Sequence, residues 1–285
     1  MKTTRRNFLK TSGAALGSVA LLSQFPFGLT SCSNALKSFG FQVWTIRQKL
    51  VADFPGTLKM MAGFGYKEVE MCSPLGYSRA GFEPLNKMSG TEMRKIIEDN
   101  GLICRSSHYG MGELRESLDN RIEWSQQMGI TQIVAASFGL GKDASVDEFR
   151  KAADELNEIG AKTKTAGIQM VFHNHHGEFE KRGDELIYDA LLDQFDPDLV
   201  KMQFQVAVVN VGYKAADYFR NYPGRFISAH LADWSVEKEK QVPIGQGIVD
   251  WEDFFKAAKV GGVENFFVEM DPDTFEPSAE FLINM

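Results

Sequence analysis

The stretch VFHNHHGEFE, residues 171–180, decides the fold of this chain and holds three of its five histidines. The apolar run at residues 168–172 leads into it and is typical of a buried strand. Side chains alternate along a strand, so His173 and His175 point to the same side. Gly177 follows as a turn residue and places both imidazoles at the C-terminal end of the strand, where parallel-sheet enzymes carry their reactive groups. A structural histidine pair bonded to backbone carbonyls is the alternative.

Short apolar segments alternate with helical segments on both sides of this strand, which is the pattern of a parallel sheet. The predicted strands cover residues 39–44, 67–71, 102–108, 131–137, 168–173, 199–206, 225–231 and 266–270. Eight strands with helices between them predict an α/β protein with a single (β/α)8 TIM barrel. The last predicted helix, residues 277–285, is short for closing a barrel. Either the N-terminal tail supplies the last turn or the barrel stays open.

The N-terminus is interpreted as an export signal. Residues 4–10, TRRNFLK, resemble a twin-arginine signal, and residues 29–32, LTSC, resemble a lipoprotein cleavage box that ends at Cys32. We therefore assign residues 1–31 to the signal and residues 32–285 to the barrel, and expect a periplasmic or cell-envelope lipoprotein. Its membrane contact would be a lipid anchor at Cys32. A plain signal peptide and an uncleaved anchor are the alternatives.

Charge and length agree with a secreted barrel. Cleavage before Cys32 would remove 31 of the 285 residues and leave 254, close to the roughly 250 of a typical TIM barrel. It would also remove four positive charges and take the net charge from −7 to −11. So acidic a surface argues against nucleic acid as a partner. Cys72 and Cys104 lie in apolar, strand-like runs, so we expect buried free thiols rather than a disulfide.

Polar residues stand near the ends of the last four predicted strands. They are His173, Gln205, His230 and Glu269. The strands of a barrel converge at one mouth, so these side chains can meet although they are distant in sequence. Two imidazoles, an amide oxygen and a carboxylate are suitable ligands for one divalent ion, Mn²⁺, Zn²⁺, Co²⁺ or Fe²⁺. Four unrelated buried polar groups are the alternative.

Five motifs in order carry a resemblance to a known family. They are FQVWTIR at 41–47, HNH at 173–175, HLAD at 230–233, PIGQGIVDW at 243–251 and VEMD at 268–271. They resemble the Q-L-Y-T-V/L-R, H-N-H, H-L-K-D, P-x-G-x-G-x-x-D-W and V-E-x-D motifs of the sugar phosphate isomerase/epimerase family of xylose isomerase-like TIM barrels. The resemblance extends over residues 39–277.

The resemblance implies a divalent metal held by Glu, Asp, His and Glu from strands five to eight. His230 and Glu269 match this set, whereas His173 stands in place of the first Glu and Gln205 in place of the Asp. Imidazole remains a good ligand, but the neutral amide of Gln205 is a weaker one. These departures bear on metal affinity and on the reaction.

The same departures bear on the mechanism. Related epimerases are thought to move a proton with two metal-bound glutamates, one on each face of an enediolate, and only Glu269 of that pair remains here. One base beside a strongly polarising metal suits isomerisation, or elimination next to a ketone, as in relatives that act on 3-keto-glycosides or inososes. Glu178, Glu180 or His175 is the candidate for a second acid or base.

Further residues near the strand ends are candidates for substrate binding. Arg47 would hold hydroxyls or a carboxylate, unless it is a solvent-exposed charge at a helix start. Trp44, Trp234 and Tyr109 would stack on sugar faces, whereas Trp251 is expected in the core. Asp233 would orient His230 or bind a hydroxyl. His108, at the end of the third strand, is either functional or a loop histidine.

The expected substrate is an unphosphorylated sugar or glycoside, because phosphorylated sugars are scarce outside the cytoplasm. A homo-oligomer is compatible with the sequence. The main competing hypothesis is an exported sugar-binding lipoprotein that has kept the barrel and lost catalysis, for which Gln205 is the motivating observation. An endonuclease of the same superfamily is disfavoured by the charge and by too few ligands for a three-metal cluster.

Overall fold

The computed structural model describes residues 38–285, so the predicted export signal and Cys32 lie outside the described residues. Eight parallel strands form a closed barrel, which confirms the predicted (β/α)8 fold. The strands are β1 (Gly40–Gln42), β2 (Glu68–Cys72), β3 (Ile103–Tyr109), β4 (Gln132–Ala135), β5 (Gln169–His173), β6 (Val200–Gln205), β7 (Phe226–Leu231) and β8 (Asn265–Val268). Each lies within two residues of its predicted bounds, and Glu269 directly follows β8.

The barrel is closed by parallel pairing of β1 with β8, in which Gly40 lies opposite Phe267. A Cβ atom on Gly40 would come within 2.6 Å of the Phe267 ring and 2.8 Å of the Glu68 carbonyl oxygen, so only glycine allows this approach. The hydroxyl of Tyr66 donates a hydrogen bond of 2.8 Å to the Phe275 carbonyl and ties the last helix to the start of β2. The short last helix therefore does not leave the barrel open.

The helices surround the strands. They are α1 (Arg47–Ala52), α2 (Phe54–Phe64), α3 (Gly90–Asp99), α4 (Met111–Met128), α5 (Val146–Thr165), α6 (Ile187–Gln194), α7 (Ala215–Asn221), α8 (Trp251–Gly261) and α9 (Phe275–Asn284). Ser89 and Ser145 begin α3 and α5 with reciprocal capping boxes. Apolar residues at helical spacing across residues 50–61 predict one helix, but the structure has two, because Asp53 leaves the helical conformation and caps α2 by accepting the Gly56 amide.

The apolar core lies between the strands and the helices. On α5, Ala153, Leu156 and Ile159 form a buried apolar face. Cys72 and Cys104 are buried free thiols, as expected. Within residues 38–285, no helix is long and apolar enough to cross a membrane.

Candidate active site

Polar side chains meet at the C-terminal end of the barrel because the strand register puts them side by side. On β2 and β3, Glu70 lies opposite Ser106. On β6 and β7, Gln205 lies opposite His230, while His173 on β5 pairs with Gln203 on β6. These residues are almost completely buried. The predicted convergence of distant strand ends is therefore observed.

Three imidazoles form the centre of the site. The ligand nitrogens of His108, His173 and His230 all lie within 4.8 Å of one another. The ring centroids of His173 and His230 are 4.3 Å apart, and His108 stacks on His230 at 5.3 Å. Three buried imidazoles at this spacing could bind a metal ion. His108, for which the sequence left two interpretations open, lies inside the site.

His230 is held between two carboxylates. Its Nε2 is hydrogen-bonded to Glu70, and its Nδ1 lies 2.9 Å from Oε2 of Glu269. Burial alone would lower the pKa of His230, but the two carboxylates outweigh it and raise the pKa to about 9. Burial would conversely raise the pKa of Glu70 and Glu269, yet the neighbouring imidazoles hold both below their usual range. Both carboxylates are therefore anionic at neutral pH.

Glu70 is the centre of a hydrogen-bond network that reaches across the barrel. It accepts hydrogen bonds from the Ser106 hydroxyl at 2.6 Å and from Nε2 of Gln203 at 2.7 Å. Nε2 of His108 lies 3.1 Å from Glu70 and 3.0 Å from Oε1 of Gln203. Sequence reasoning did not place Glu70 or Gln203 in the site. The available signal was a second acid two residues after Glu68 in the same strand, because a buried acid requires polar partners.

The side-chain amide of Gln205 is bonded at both ends, to Glu269 and to the backbone. Its Nε2 donates a hydrogen bond of 2.7 Å to Oε2 of Glu269, and its Oε1 accepts the Ala207 amide at 3.2 Å. The backbone amide of Glu269 donates a hydrogen bond to the Leu231 carbonyl, which fixes the backbone of Glu269 beside the end of β7. Gln205 thus lies next to the predicted carboxylate, but its amide oxygen is used by the backbone.

His173 offers an unused nitrogen to the site. Its Nδ1 is buried and has no hydrogen-bond partner among the described residues. Burial lowers the pKa of His173 well below its ordinary value, and the nearby imidazoles add to this, so the ring is neutral. A buried neutral imidazole nitrogen without a partner, beside two further imidazoles of which one is bonded to two carboxylates, belongs to a donor set that fits a divalent cation.

His175 lies at the rim of the site. Its exposed ring packs edge-on against His173, with the centroids 4.9 Å apart. The carboxylate of Glu178 accepts a hydrogen bond of 2.7 Å from the His175 backbone amide and so holds the loop after β5. Burial raises the pKa of Glu178. Glu180 forms an ion pair with Arg182 at 2.9 Å. Of the three candidates for a second acid or base, His175 is the one whose ring touches the central imidazoles.

Arg47 and Trp44 stack together. The guanidinium lies 4.3 Å from the centroid of the half-buried Trp44 ring. It donates hydrogen bonds to the carbonyls of Trp44 and Ala80, so part of its donor capacity is used by the backbone. Tyr109 is fully buried and bonded to Ser125, which leaves no face of its ring open to a sugar.

Asp233 organises the glycine loop that precedes α8. Its buried carboxylate accepts the backbone amides of Gly245, Gly247 and Val249 and the indole N–H of Trp251. Both oxygens are used by the protein, in contrast to the predicted contact with His230 or a hydroxyl. Trp251 is buried, as expected. The half-buried Trp234 lies on a hairpin formed by Asp233–Ser235 and Lys240–Val242.

The sequence matches a family model described as xylose isomerase-like TIM barrel over residues 58–285. The chain belongs to this family. Its members share the closed barrel found here, and the match includes every strand from β2 to β8 and thus all the imidazoles and carboxylates of the site. The matched residues therefore contain the whole candidate site.

Relatives and solved structures of this family include several enzymes. An inosose dehydratase from Clostridium perfringens is 28% identical over 152 residues, which cover 46% of this chain and 50% of that protein. A sugar phosphate isomerase/epimerase structure from Parabacteroides distasonis covers 88% of this chain and 95% of its own, with a TM-score of 0.74 and 24% identity. A probable 3-DHS dehydratase from Bacillus anthracis covers 86% and 98%, with a TM-score of 0.66 and 11% identity. The chain spans about half the length of the curated relatives it matches, and the structural likenesses show the fold.

Proposed function

We propose that this protein is a metal-dependent isomerase, epimerase or lyase that acts on an unphosphorylated sugar or keto-glycoside through an enediolate or enolate. The observation that carries this proposal is the convergence of His173, Gln205, His230 and Glu269 from consecutive strands, with Nδ1 of His173 left without a partner among the described residues. Enzymes of a barrel fold keep their reactive groups at this end.

His173, His230 and Glu269 are the residues that would hold the ion, with Gln205 supporting Glu269. Imidazole and carboxylate ligands suit Mn²⁺, Zn²⁺, Co²⁺ or Fe²⁺. When bound, such an ion polarises a ketone and stabilises the negative charge of the enolate. The anionic state of Glu70 and Glu269 supports this assignment, because two carboxylates in one buried site favour a positively charged group beside them.

Glu269 is the base of the proposed reaction. Its carboxylate is oriented by Gln205 and His230 and stays 15% exposed, so it can reach a substrate at the mouth. The proton that it removes from the α-carbon either returns to the neighbouring carbon, which isomerises the sugar, or leaves with a β-hydroxyl as water, which is an elimination. One carboxylate can carry out either sequence. The relatives named as dehydratases make elimination beside a ketone the first reaction to test.

His175 and the half-buried tryptophans complete the proposed site. His175 lies at the rim, where it can exchange a proton between the substrate and solvent. Trp44 and Trp234 offer partly open rings for stacking on a sugar face. Export as a lipoprotein anchored at Cys32, and with it an unphosphorylated substrate, stays a prediction from residues 1–32. A homo-oligomer remains compatible with the sequence.

A second candidate function is sugar binding without catalysis. The observation in its favour is Gln205, which is neutral and uses both ends of its amide within the protein. In that case the site would keep its shape and bind a sugar, but Glu269 would not remove a proton.

Metal analysis combined with proton exchange separates these functions. The purified mature protein would be analysed for bound divalent metal, alongside His173→Ala and Glu269→Ala. In D₂O, we expect the metal-loaded protein to exchange the α-proton of a 3-keto-glycoside or inosose, with dehydrated product detected by mass spectrometry. Both variants should lose exchange, whereas His176→Ala should keep it, because His176 bonds Asn210 at the surface. Wild-type protein that binds no divalent metal and exchanges no proton would sink the enzyme proposal, and sugar binding alone would support the second candidate.

A further inference from the structure

We infer that Glu70 is a positioning residue that fixes the ring of His230, so that Nδ1 of His230 is the nitrogen offered to the metal. This inference rests on the proposed function, since it assigns a role toward the ion that His173, His230 and Glu269 would hold. It also assigns Nε2 of His108 to the hydrogen bonds around Glu70 rather than to the metal ligands.

The His230 ring has a defined orientation. The two nitrogens of an imidazole point in divergent directions, so a single ion can take only one of them. Nε2 of His230 is hydrogen-bonded to Glu70, and Nδ1 lies on the side of Glu269, 2.9 Å from its Oε2. Metal-binding histidines usually donate their other ring N–H to a carboxylate or carbonyl, which fixes both tautomer and orientation. Glu70 is placed to be that acceptor.

Glu70 is itself rigidly held. The side chain is fully buried on β2, and two neutral donors fix its carboxylate, the Ser106 hydroxyl at 2.6 Å and the Gln203 amide at 2.7 Å. Glu269, by contrast, is partly exposed and reaches the mouth. The two carboxylates that bracket His230 are therefore not equivalent. Glu70 has the environment of a fixed support, and Glu269 has that of a group that meets substrate.

His108 belongs to the network around Glu70. Its Nε2 is directed at Gln203 and Glu70, at 3.0 and 3.1 Å, so this nitrogen contributes to that network. The competing arrangement would use one nitrogen each of His108, His173 and His230 as three ligands, since one ligand nitrogen of each ring lies within 4.8 Å of the others. If His230 entered that arrangement through Nε2, Glu70 would have to give up its hydrogen bond to His230. The two arrangements differ in what His108 contributes, and this difference is measurable.

Calorimetric titration of the metal-free mature protein with Zn²⁺ alone tests the inference. Glu70→Gln keeps the shape of the side chain and removes its charge, and we expect it to weaken Zn²⁺ binding about 10- to 100-fold. The matched control is Glu113→Gln, which changes another buried carboxylate that bonds Ser73 and Gly110 instead of an imidazole, and should leave the affinity unchanged. His108→Ala should change the affinity by less than Glu70→Gln does. Ser106→Ala removes one hydrogen bond to Glu70 and should weaken Zn²⁺ binding severalfold. This variant replaces Glu70→Gln in the test if Glu70→Gln does not fold.

Nitrogen-15 NMR of the Zn²⁺-loaded protein reports which nitrogen of His230 is protonated and which binds the metal. If Glu70 only stabilised the fold, its substitution would leave these ring states unchanged. In the wild type we expect a protonated Nε2 and a metal-shifted Nδ1 on His230, and in Glu70→Gln a mixture of ring states. If the wild type binds Zn²⁺ and the folded Glu70 or Ser106 variants bind it equally well, the inference is wrong while the proposed function stands. Loss of Zn²⁺ binding in His108→Ala, with Nε2 of His230 metal-shifted, would establish the competing arrangement. A wild type that binds no divalent metal would instead overturn the proposed function.

Discussion

At the scale of single residues, His175 differs from the central imidazoles because its ring is exposed at the mouth. Its ring packs against His173, and the negative charge of Glu269 acts on it. This position, between the buried site and solvent, suits a residue that relays a proton. We expect His175→Gln to lower kcat about 10²- to 10⁴-fold with bound metal retained. Steady-state kinetics and metal analysis of the same preparation check this.

The neighbouring histidine provides the control for that variant. His176 is also exposed, but its Nε2 bonds Asn210 and not the central imidazoles, so His176→Gln should keep wild-type kcat. If His175→Gln loses the metal together with activity, His175 is a ligand and not a proton relay.

The site residues show what a sequence can and cannot predict. His173, His230 and Glu269 were predictable because each lies at or just after the end of an apolar strand, and barrel geometry brings strand ends together. Glu70 was not, because its partners are spread over β3, β6 and β7, up to 160 residues away, and nothing local signals them. Asp233 also lies at a strand end, but its carboxylate is used by a loop that follows it in the chain.

At the scale of structural elements, the loop before α8 depends on one carboxylate. Gly245 has a positive φ of 86°, and a Cβ on Gly247 would come within 2.1 Å of Oδ1 of Asp233, so the loop is wrapped closely around that side chain. Asp233→Asn replaces an acceptor by a donor that faces backbone N–H groups. We expect it to lower the free energy of unfolding by about 2–4 kcal/mol.

Urea unfolding followed by circular dichroism measures this loss. Asp273→Asn, on an exposed turn, is the matched control and should change the free energy of unfolding by less than about 0.5 kcal/mol. A stable Asp233→Asn protein with impaired sugar binding would instead place Asp233 among the substrate contacts.

A second carboxylate, Glu113, joins α4 to the loops after β2 and β3 and makes stability depend on pH. It accepts hydrogen bonds from the Ser73 hydroxyl and the Gly110 amide, but burial dominates and raises its pKa. The folded state thus binds this proton more tightly than the unfolded chain. Its contribution to stability is complete below the unfolded pKa of about 4.3 and is lost as the pH rises through the folded pKa.

Comparison with Glu113→Gln isolates that titration. The free energy of unfolding of the wild type, minus that of the variant, should be larger near pH 4 than near pH 8, while other titrating groups cancel. This difference between wild type and variant should fall by about 1.4 kcal/mol from pH 4 to pH 8 for every tenfold by which folding raises the proton affinity of Glu113. A difference that grows with rising pH would mean that the hydrogen bonds to Ser73 and Gly110 outweigh burial.

The elements themselves were predictable to different degrees. Strand positions followed from apolar runs bounded by turn glycines, and Gly65, Gly101, Gly129 and Gly167 all adopt positive φ at these boundaries. The break between α1 and α2 was missed because Asp53 lies among correctly spaced apolar residues, and only its cap on Gly56 shows that the helix restarts. Closure was undecided because the last predicted helix is short, and the pairing of the three-residue β1 with β8, which depends on Gly40, is not visible in the sequence.

At the scale of the whole molecule, a bound ion would connect strands that are far apart in the chain. His173, His230 and Glu269 come from β5, β7 and the residue after β8, so an ion that they share binds only the folded barrel. Ligands that bind only the native state stabilise it by about 2.7 kcal/mol at a free concentration of 100 times Kd. In a domain of this size, each kcal/mol raises Tm by about 2–4 °C.

We therefore expect a saturating divalent metal to raise Tm of the chelator-treated protein by about 5–10 °C, and renewed chelation to reverse the rise. Scanning calorimetry with Mn²⁺, Zn²⁺, Co²⁺ and anaerobic Fe²⁺ would rank the ions by their effect. Glu269→Gln should reduce the rise for every ion, because it removes a charged ligand, whereas Glu113→Gln should keep it. An equal rise in Tm in wild type and Glu269→Gln would show that the ion binds elsewhere on the barrel. Glu269 is a proposed ligand, so stabilisation by an ion at this site should depend on its carboxylate.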